Sequence, residues 1–396
     1  MPGLMKITRR VLLGLCILAV PVVLWSWPGK QVGAGKGQYL AYVGTYTTKQ
    51  SSKGIYAYRF DSATGQLTSI GLAAESTDPS FVAVHPSGKY LYAVNEIGEF
   101  NGLKSGAVSA FAIDTKSGML KALNQVSTHG AGPCYVSLDK EGRFVLVANY
   151  DGGSVATFPV HDDGSLGLVA GFVQHSGSSV DKERQEAPHG HWVGVSPDNR
   201  FVLAADLGLD DVLVYHFDAY KGSLTPNDPG YARVTPGSGP RHFTFHPNGK
   251  FGYVLNEMAS TVTAFSYQAQ KGSLSALQTV ATLPKDYSGV KEAAEITVHP
   301  SGKFLYASNR GSANSITEFT IDAAKGTLKL AGEFSTKGKI PRDFVIDPTG
   351  AFLLAANEDS GNIVVFRIDP ATGSLTATGQ TVEVPAPVGI AFVVGE

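Results

Sequence analysis

Cysteine is almost missing from this chain, with two residues in 396, Cys16 and Cys134. Cys16 falls inside an apolar N-terminal run, so only Cys134 belongs to the body of the protein. No intramolecular disulfide can staple it, and stability has to come from packing. Charge is sparse as well. Asp, Glu, Lys and Arg make up 17% of the residues and nearly cancel to a formal net charge of −2, which leaves no electrostatic footprint for a nucleic acid. A Gly-x-Ser-x-Gly elbow, a P-loop and a dinucleotide fingerprint are all absent, so nucleotide chemistry has no support. His189 and His191 have the spacing of two metal ligands on one strand face, but no third His, Cys or carboxylate joins them at a matching spacing. No metal and no other cofactor is expected. The chain shows neither a convincing amphipathic helix nor a second domain. What it has in quantity is glycine, 46 residues, with 21 prolines, the composition of many short strands joined by tight turns.

The first thirty residues differ from the rest. Lys6, Arg9 and Arg10 precede an apolar run from Val11 to Trp27, broken only by Gly14, Pro21 and Ser26. This predicts an export signal or a membrane anchor across residues 11–27, with a linker to residue 38. Val32-Gly33-Ala34 offers a small-residue cleavage site that favours removal, and hence a periplasmic or secreted protein. If the segment is retained, it is the chain's only tie to a membrane.

Internal repeats define the remainder, residues 39–396. Gly-x-Leu recurs seven times, at Gly65, Gly118, Gly164, Gly222, Gly272, Gly326 and Gly373. Each copy follows an alternating segment such as Gly54 to Asp61, where a glycine at positive φ would turn a hairpin and the leucine would restart the buried face. A second turn, His85-Pro-Ser-Gly-Lys89, has relatives at Ser196, His246, His299 and Asp347 and a degenerate copy at Asp139, which makes six. Seven of one and six of the other fit an all-β, seven-bladed β-propeller whose termini meet inside one blade. Pro387 to Val394 would then pair with Tyr39 to Val43 and close the ring.

In such a ring the residue opening the innermost strand and the residues closing the next strand meet at one rim of the channel. The opening series reads Ser80, Cys134, His191, Arg241, Ala294, Arg342 and Val388. The closing series reads Gly44-Thr45, Asn95-Glu96, Asn149-Tyr150, Asp206-Leu207, Asn256-Glu257, Asn309-Arg310 and Asn357-Glu358. A repeated Asn ending a strand has an ordinary structural use, bonding neighbouring backbone. The ionisable residues that break the repeat, His191, Arg241, Glu257 and Arg310, are the catalytic candidates. His189, Asn95, Glu96, Asn149, Tyr150 and Arg342 are candidate substrate contacts. Arginines, a histidine and a carboxylate around one mouth suit an anionic ligand and a proton transfer. The irregular stretch from Gln174 to Gly190 lies over the same face, as a lid or as a mobile surface loop.

Tyr42-Val-Gly-Thr-Tyr46, Ala148-Asn-Tyr-Asp-Gly-Gly-Ser154, Arg184-Gln-Glu-Ala-Pro-His-Gly-His191, Gly239-Pro-Arg-His242, Leu255-Asn-Glu257 and Ser308-Asn-Arg-Gly311 together resemble the seven-bladed lactonase family of bacterial 6-phosphogluconolactonases and fungal carboxymuconate cyclases. The resemblance covers about residues 39 to 394. It implies a metal-independent opening of a sugar lactone, with His191, Arg241, Arg310 and Glu257 matching the family's histidine, two arginines and glutamate. Glu257 or His191 would handle the proton, and the arginines would hold the substrate's carboxylate, phosphate or oxyanion. A small anionic or sugar lactone is the expected partner of a monomeric enzyme. An exported propeller that binds a glycan or protein is the alternative, supported by the aromatic Tyr46, Tyr150 and Trp192; a muconate-type cyclase is a further one. The N-terminal segment departs from the cytosolic setting of a 6-phosphogluconolactone.

Overall fold

The computed structural model describes Met1, residues 37–49 and residues 51–395. The export or anchor segment predicted at residues 11–27 and its cleavage site lie outside them. Every element among the described residues is a strand, and the strands form seven four-stranded antiparallel sheets. Blade 2 is Val82–Val84, Tyr90–Asn95, Ala107–Ile113 and Leu120–Ser127, and blades 3 to 7 repeat it, their innermost strands starting at Pro133, Gly190, Pro240, Ala293 and Pro341. Blade 1 takes its innermost strand, Pro387–Val394, from the end of the chain and the next, Gln38–Thr45, from the beginning. The two pair antiparallel from Tyr39↔Val394 to Gly44↔Gly389. The ring closes as the turn count predicts, with the two terminal strands paired to each other.

The repeated glycines do two jobs. All seven sit at positive φ, from 64° to 86°, where a side chain would strain the turn. Six also abut the aromatic that opens the second strand of the preceding blade. A Cβ on Gly222 would stand 2.3 Å from Phe144, one on Gly272 2.5 Å from Phe201, and one on Gly65, across the closure, 2.4 Å from Phe352. The Gly-x-Leu signal is thus a record of contact between blades. The other turn works similarly: Nε2 of His85, His246 and His299 lies 2.8–2.9 Å from the carbonyl of the turn glycine in the next blade. Apolar layers such as Phe60, Phe352, Leu354 and Val365 fill the space between blades.

One bond repeats at the rim where the two series meet. The N–H after each closing Asn or Asp donates to the carbonyl two residues before the opening residue: Glu96 to Asp78, Tyr150 to Gly132, Leu207 to His189, Glu257 to Gly239, Arg310 to Glu292 and Glu358 to Ile340, at 2.7–3.0 Å. In blade 1 it is Tyr46 that donates, to Ala386 at 3.1 Å. The register there shifts at Gly44/Thr45, so Thr45 takes the place of Asn and Tyr46 that of Glu96. The Gly44-Thr45 alignment read from the sequence was one residue early.

Candidate active site

Five of the seven opening residues sit where the ladder slips. Register shifts fall between Pro133 and Tyr135, Gly190 and Trp192, Pro240 and His242, Ala293 and Ile296, and Pro341 and Asp343. Cys134, His191, Arg241 and Arg342 are therefore extra residues, freed from cross-strand pairing, and such bulges re-aim a side chain. Cys134, His191 and Arg342, with residues of the closing series, wall a cavity of about 240 Å³, lined by Glu96, Cys134, Tyr150, Arg184, His191, Glu257, Glu292, Arg310 and Arg342. A larger hollow of about 720 Å³ on the opposite rim, lined by the His85–Lys89 turn and Val393, gathers no comparable set of acids and cations.

Glu257 is the centre of charge. Its Oε2 lies 3.0 Å from Arg241 Nε and 2.9 Å from Arg310 Nη2, and its Oε1 accepts a 2.8 Å hydrogen bond from Arg184 Nη2. Burial pushes this carboxyl up, but Arg310, Arg241 and Arg184 outweigh it and hold the pKa at about 2. Glu257 is therefore a permanent anion and a weak base. Arg241 is 2% exposed; burial and the neighbouring Arg342 and Arg310 lower it to about 10, which leaves it charged at neutral pH. Nε of Arg241 and of Arg310 has no aligned acceptor among the described residues, so Glu257 does not exhaust their capacity to donate. Arg342 has no carboxylate oxygen within 4.0 Å among the described residues. It lies over the Tyr46 ring, 5.2 Å from the centroid.

Burial, reinforced by Arg241 and Arg342, holds His191 well below the usual histidine range, so its imidazole is neutral. Glu96 moves the other way, because burial raises its carboxyl despite Arg342 and hydrogen bonds from Ser80 and Tyr46. Glu257 and Glu96 are thus moved in opposite directions, down and up, which makes Glu96 the stronger base of the two.

Other candidates fall elsewhere. Asn95 and Asn149 do not reach the cavity. The Nδ2 of Asn95 donates to Thr77 O at 2.7 Å and Ser76 Oγ at 2.9 Å, and that of Asn149 to Thr128 O at 3.2 Å and Ser154 Oγ at 3.0 Å. Both are fully buried within their blades, so the structural use of a strand-ending Asn prevails. His189 stacks on Tyr150 with centroids 4.5 Å apart and its Nδ1 3.1 Å from Tyr150 O; it holds that tyrosine rather than lining the wall. The stretch before blade 4 is a strapped cover. His175 Nδ1 lies 2.6 Å from Asp206 Oδ2, Ser179 Oγ donates to Asp210, and Gln185 Nε2 donates to Leu207 O at 2.8 Å. Arg184 reaches the cavity from the irregular stretch before blade 4, and Glu292 from the position two residues before the opening Ala294, which the two series did not include.

Beneath the cavity lies a second buried group. His242 Nδ1 is 2.6 Å from Glu295 Oε2, His242 Nε2 is 3.2 Å from Arg241 Nη1, and Asp343 Oδ2 accepts from Ile390 N at 2.7 Å. Burial raises Asp343 to about 7 and, with Asp343 beside it, pushes Glu295 well above the carboxylate range. The folded protein holds the Asp343 proton up to about pH 7, whereas the unfolded chain releases it near 4. The associated stability is complete below about pH 4 and drains away up to 7, by about 1.4 kcal/mol per pH unit. Asp343→Asn stays neutral throughout, so it should gain on the wild type as pH rises from 4 to 8. Urea midpoints at the two pH values check this, and parallel pH dependences would show that Asp343 carries no such proton.

Residues 40–392 match the family described as Lactonase, 7-bladed beta-propeller. The chain is 40% identical over 355 residues to a 6-phosphogluconolactonase of Bacillus subtilis, covering 90% of this chain and 98% of that one. It is 38% identical over 344 residues to a 6-phosphogluconolactonase of Formosa agariphila, covering 86% and 95%. The solved structure of a periplasmic gluconolactonase from Pseudomonas aeruginosa superimposes with a TM-score of 0.85, at 37% identity over 91% of this chain and all of that one. By sequence and by fold, this chain belongs to the seven-bladed β-propeller lactonase family.

Proposed function

We propose that the chain hydrolyses a sugar lactone of the 6-phosphogluconolactone type in the cavity at the channel mouth. The observation that carries this reading is the charge pattern: three guanidiniums share Glu257, and a fourth, Arg342, has no carboxylate within 4.0 Å among the described residues. Hydrolysis of a lactone needs a base for water, a cation for the carbonyl oxygen as it turns anionic, and a proton for the departing ring oxygen. Glu96 takes a proton from water as the water oxygen attacks the carbonyl carbon. Arg342 and Arg310 meet the developing oxyanion. When the ring C–O bond breaks, the proton on Glu96 returns to the alkoxide, and the product is a hydroxy acid. Neutral His191 supplies a hydrogen bond, and Glu257 holds Arg241 and Arg310 in place.

The names of the relatives support the substrate class. The apolar N-terminal segment and the periplasmic relative support action outside the cytoplasm. A domain of residues 37–395 should accelerate the opening of glucono-1,5-lactone or its 6-phosphate well above the spontaneous rate at pH 6.5, followed by acid release. No acceleration on either would move the function to a binding propeller.

A further inference from the structure

Arg184 is the one partner of Glu257 that comes from outside the blades, and it differs from the other two in freedom. Its side chain is 42% exposed, against 2% for Arg241 and 10% for Arg310. Its backbone is fixed: Arg184 N donates to Asp181 Oδ1 at 3.0 Å, and the adjoining Gln185 is fully buried and bonded to Leu207 O. A flexible cation thus projects from a strapped base. If it leaves Glu257, that carboxylate still has two guanidiniums, so the exchange uncovers no unpaired buried charge. Arg184 also lies across the axis from Arg342. It touches Tyr150 of blade 3 at 3.4 Å and Glu257 of blade 5 and precedes blade 4, whereas Arg342 opens blade 7. Four arginines around the cavity face the carboxyls of Glu96, Glu257 and Glu292, so even with all three ionised one positive charge is left over.

We infer that Arg184 determines specificity: it exchanges Glu257 for a second anionic group on the substrate, a phosphate monoester at the end away from the reacting carbonyl. This rests on the lactonase reading of the cavity. A guanidinium bound to phosphate through two N–H groups contributes roughly 1.5–3 kcal/mol, or about 10- to 100-fold in preference.

The test compares glucono-1,5-lactone 6-phosphate with glucono-1,5-lactone for the wild type, Arg184→Gln and Arg184→Lys. The wild type should favour the phosphorylated lactone through KM. Arg184→Gln should lower that preference about 10- to 100-fold, and Arg184→Lys should recover part of it, since lysine restores the charge without the fork. An unchanged preference in Arg184→Gln overturns the assignment. Calorimetry with the product acids, gluconate and 6-phosphogluconate, separates the two readings. Turnover of neither lactone ends the lactonase reading, while discrimination between the acids, lost in Arg184→Gln, still upholds Arg184. Equal binding of both acids by the wild type rejects it.

Discussion

Glu257→Gln should lose at least about 10³-fold in kcat/KM and unfold more readily, with the native sheet signal retained at 25 °C. The substitution keeps size and shape but removes the one charge that Arg184, Arg241 and Arg310 share. Arg241 and Arg310 would then face each other buried and unpaired, a situation that costs about 3–5 kcal/mol. The guanidiniums would draw apart, and a misplaced oxyanion partner alone costs about 10²–10³ in rate. Because the three arginines hold this carboxyl at about 2, the loss should be equal at every working pH. Wild-type turnover in the variant would show that the arginines keep their places unaided. A loss confined to low pH would instead mark Glu257 as the base.

Glu96→Gln should fall about 10²–10³-fold in kcat and alter the shape of the pH profile. A base must be ionised, so wild-type activity should drop on the acid side through an apparent pKa above the ordinary 4.5, the direction in which burial moves this carboxyl. Arg342, Tyr46 and Ser80 face it and stay in place in the variant, since a glutamine oxygen can still accept from both hydroxyls. The residual activity of Glu96→Gln should lack that acid limb. An acid limb that persists unchanged would assign the proton to His191.

The ring was legible because its signals are periodic: a glycine that touches the preceding blade cannot vary without strain, so it recurs seven times. The catalytic candidates were legible for the opposite reason, as ionisable breaks in a regular series. Bulges are silent in sequence, since inserting one residue leaves no compositional trace. The closing pair of blade 1 was consequently read as Gly44-Thr45, one position early, and the inward turn of His242, Glu295 and Asp343, each next to an opening residue, could not be read. Asn95 and Asn149 were misjudged because a polar strand end looks the same whether it bonds a substrate or its own blade. Arg184 and Glu292 lie on irregular connections, where no register says which way a side chain points.

The seam in blade 1 also orders events in time. During synthesis Gln38–Thr45 emerges early, yet its inner partner, Pro387–Val394, is made after all the other described strands, so the ring cannot shut until that strand has been made. Joining strands so distant in sequence makes closure a late, slow step. The wall draws Glu96 from blade 2 and Arg342 from blade 7, the two neighbours of that seam. Assembly of the charged rim therefore waits on residues 387–394.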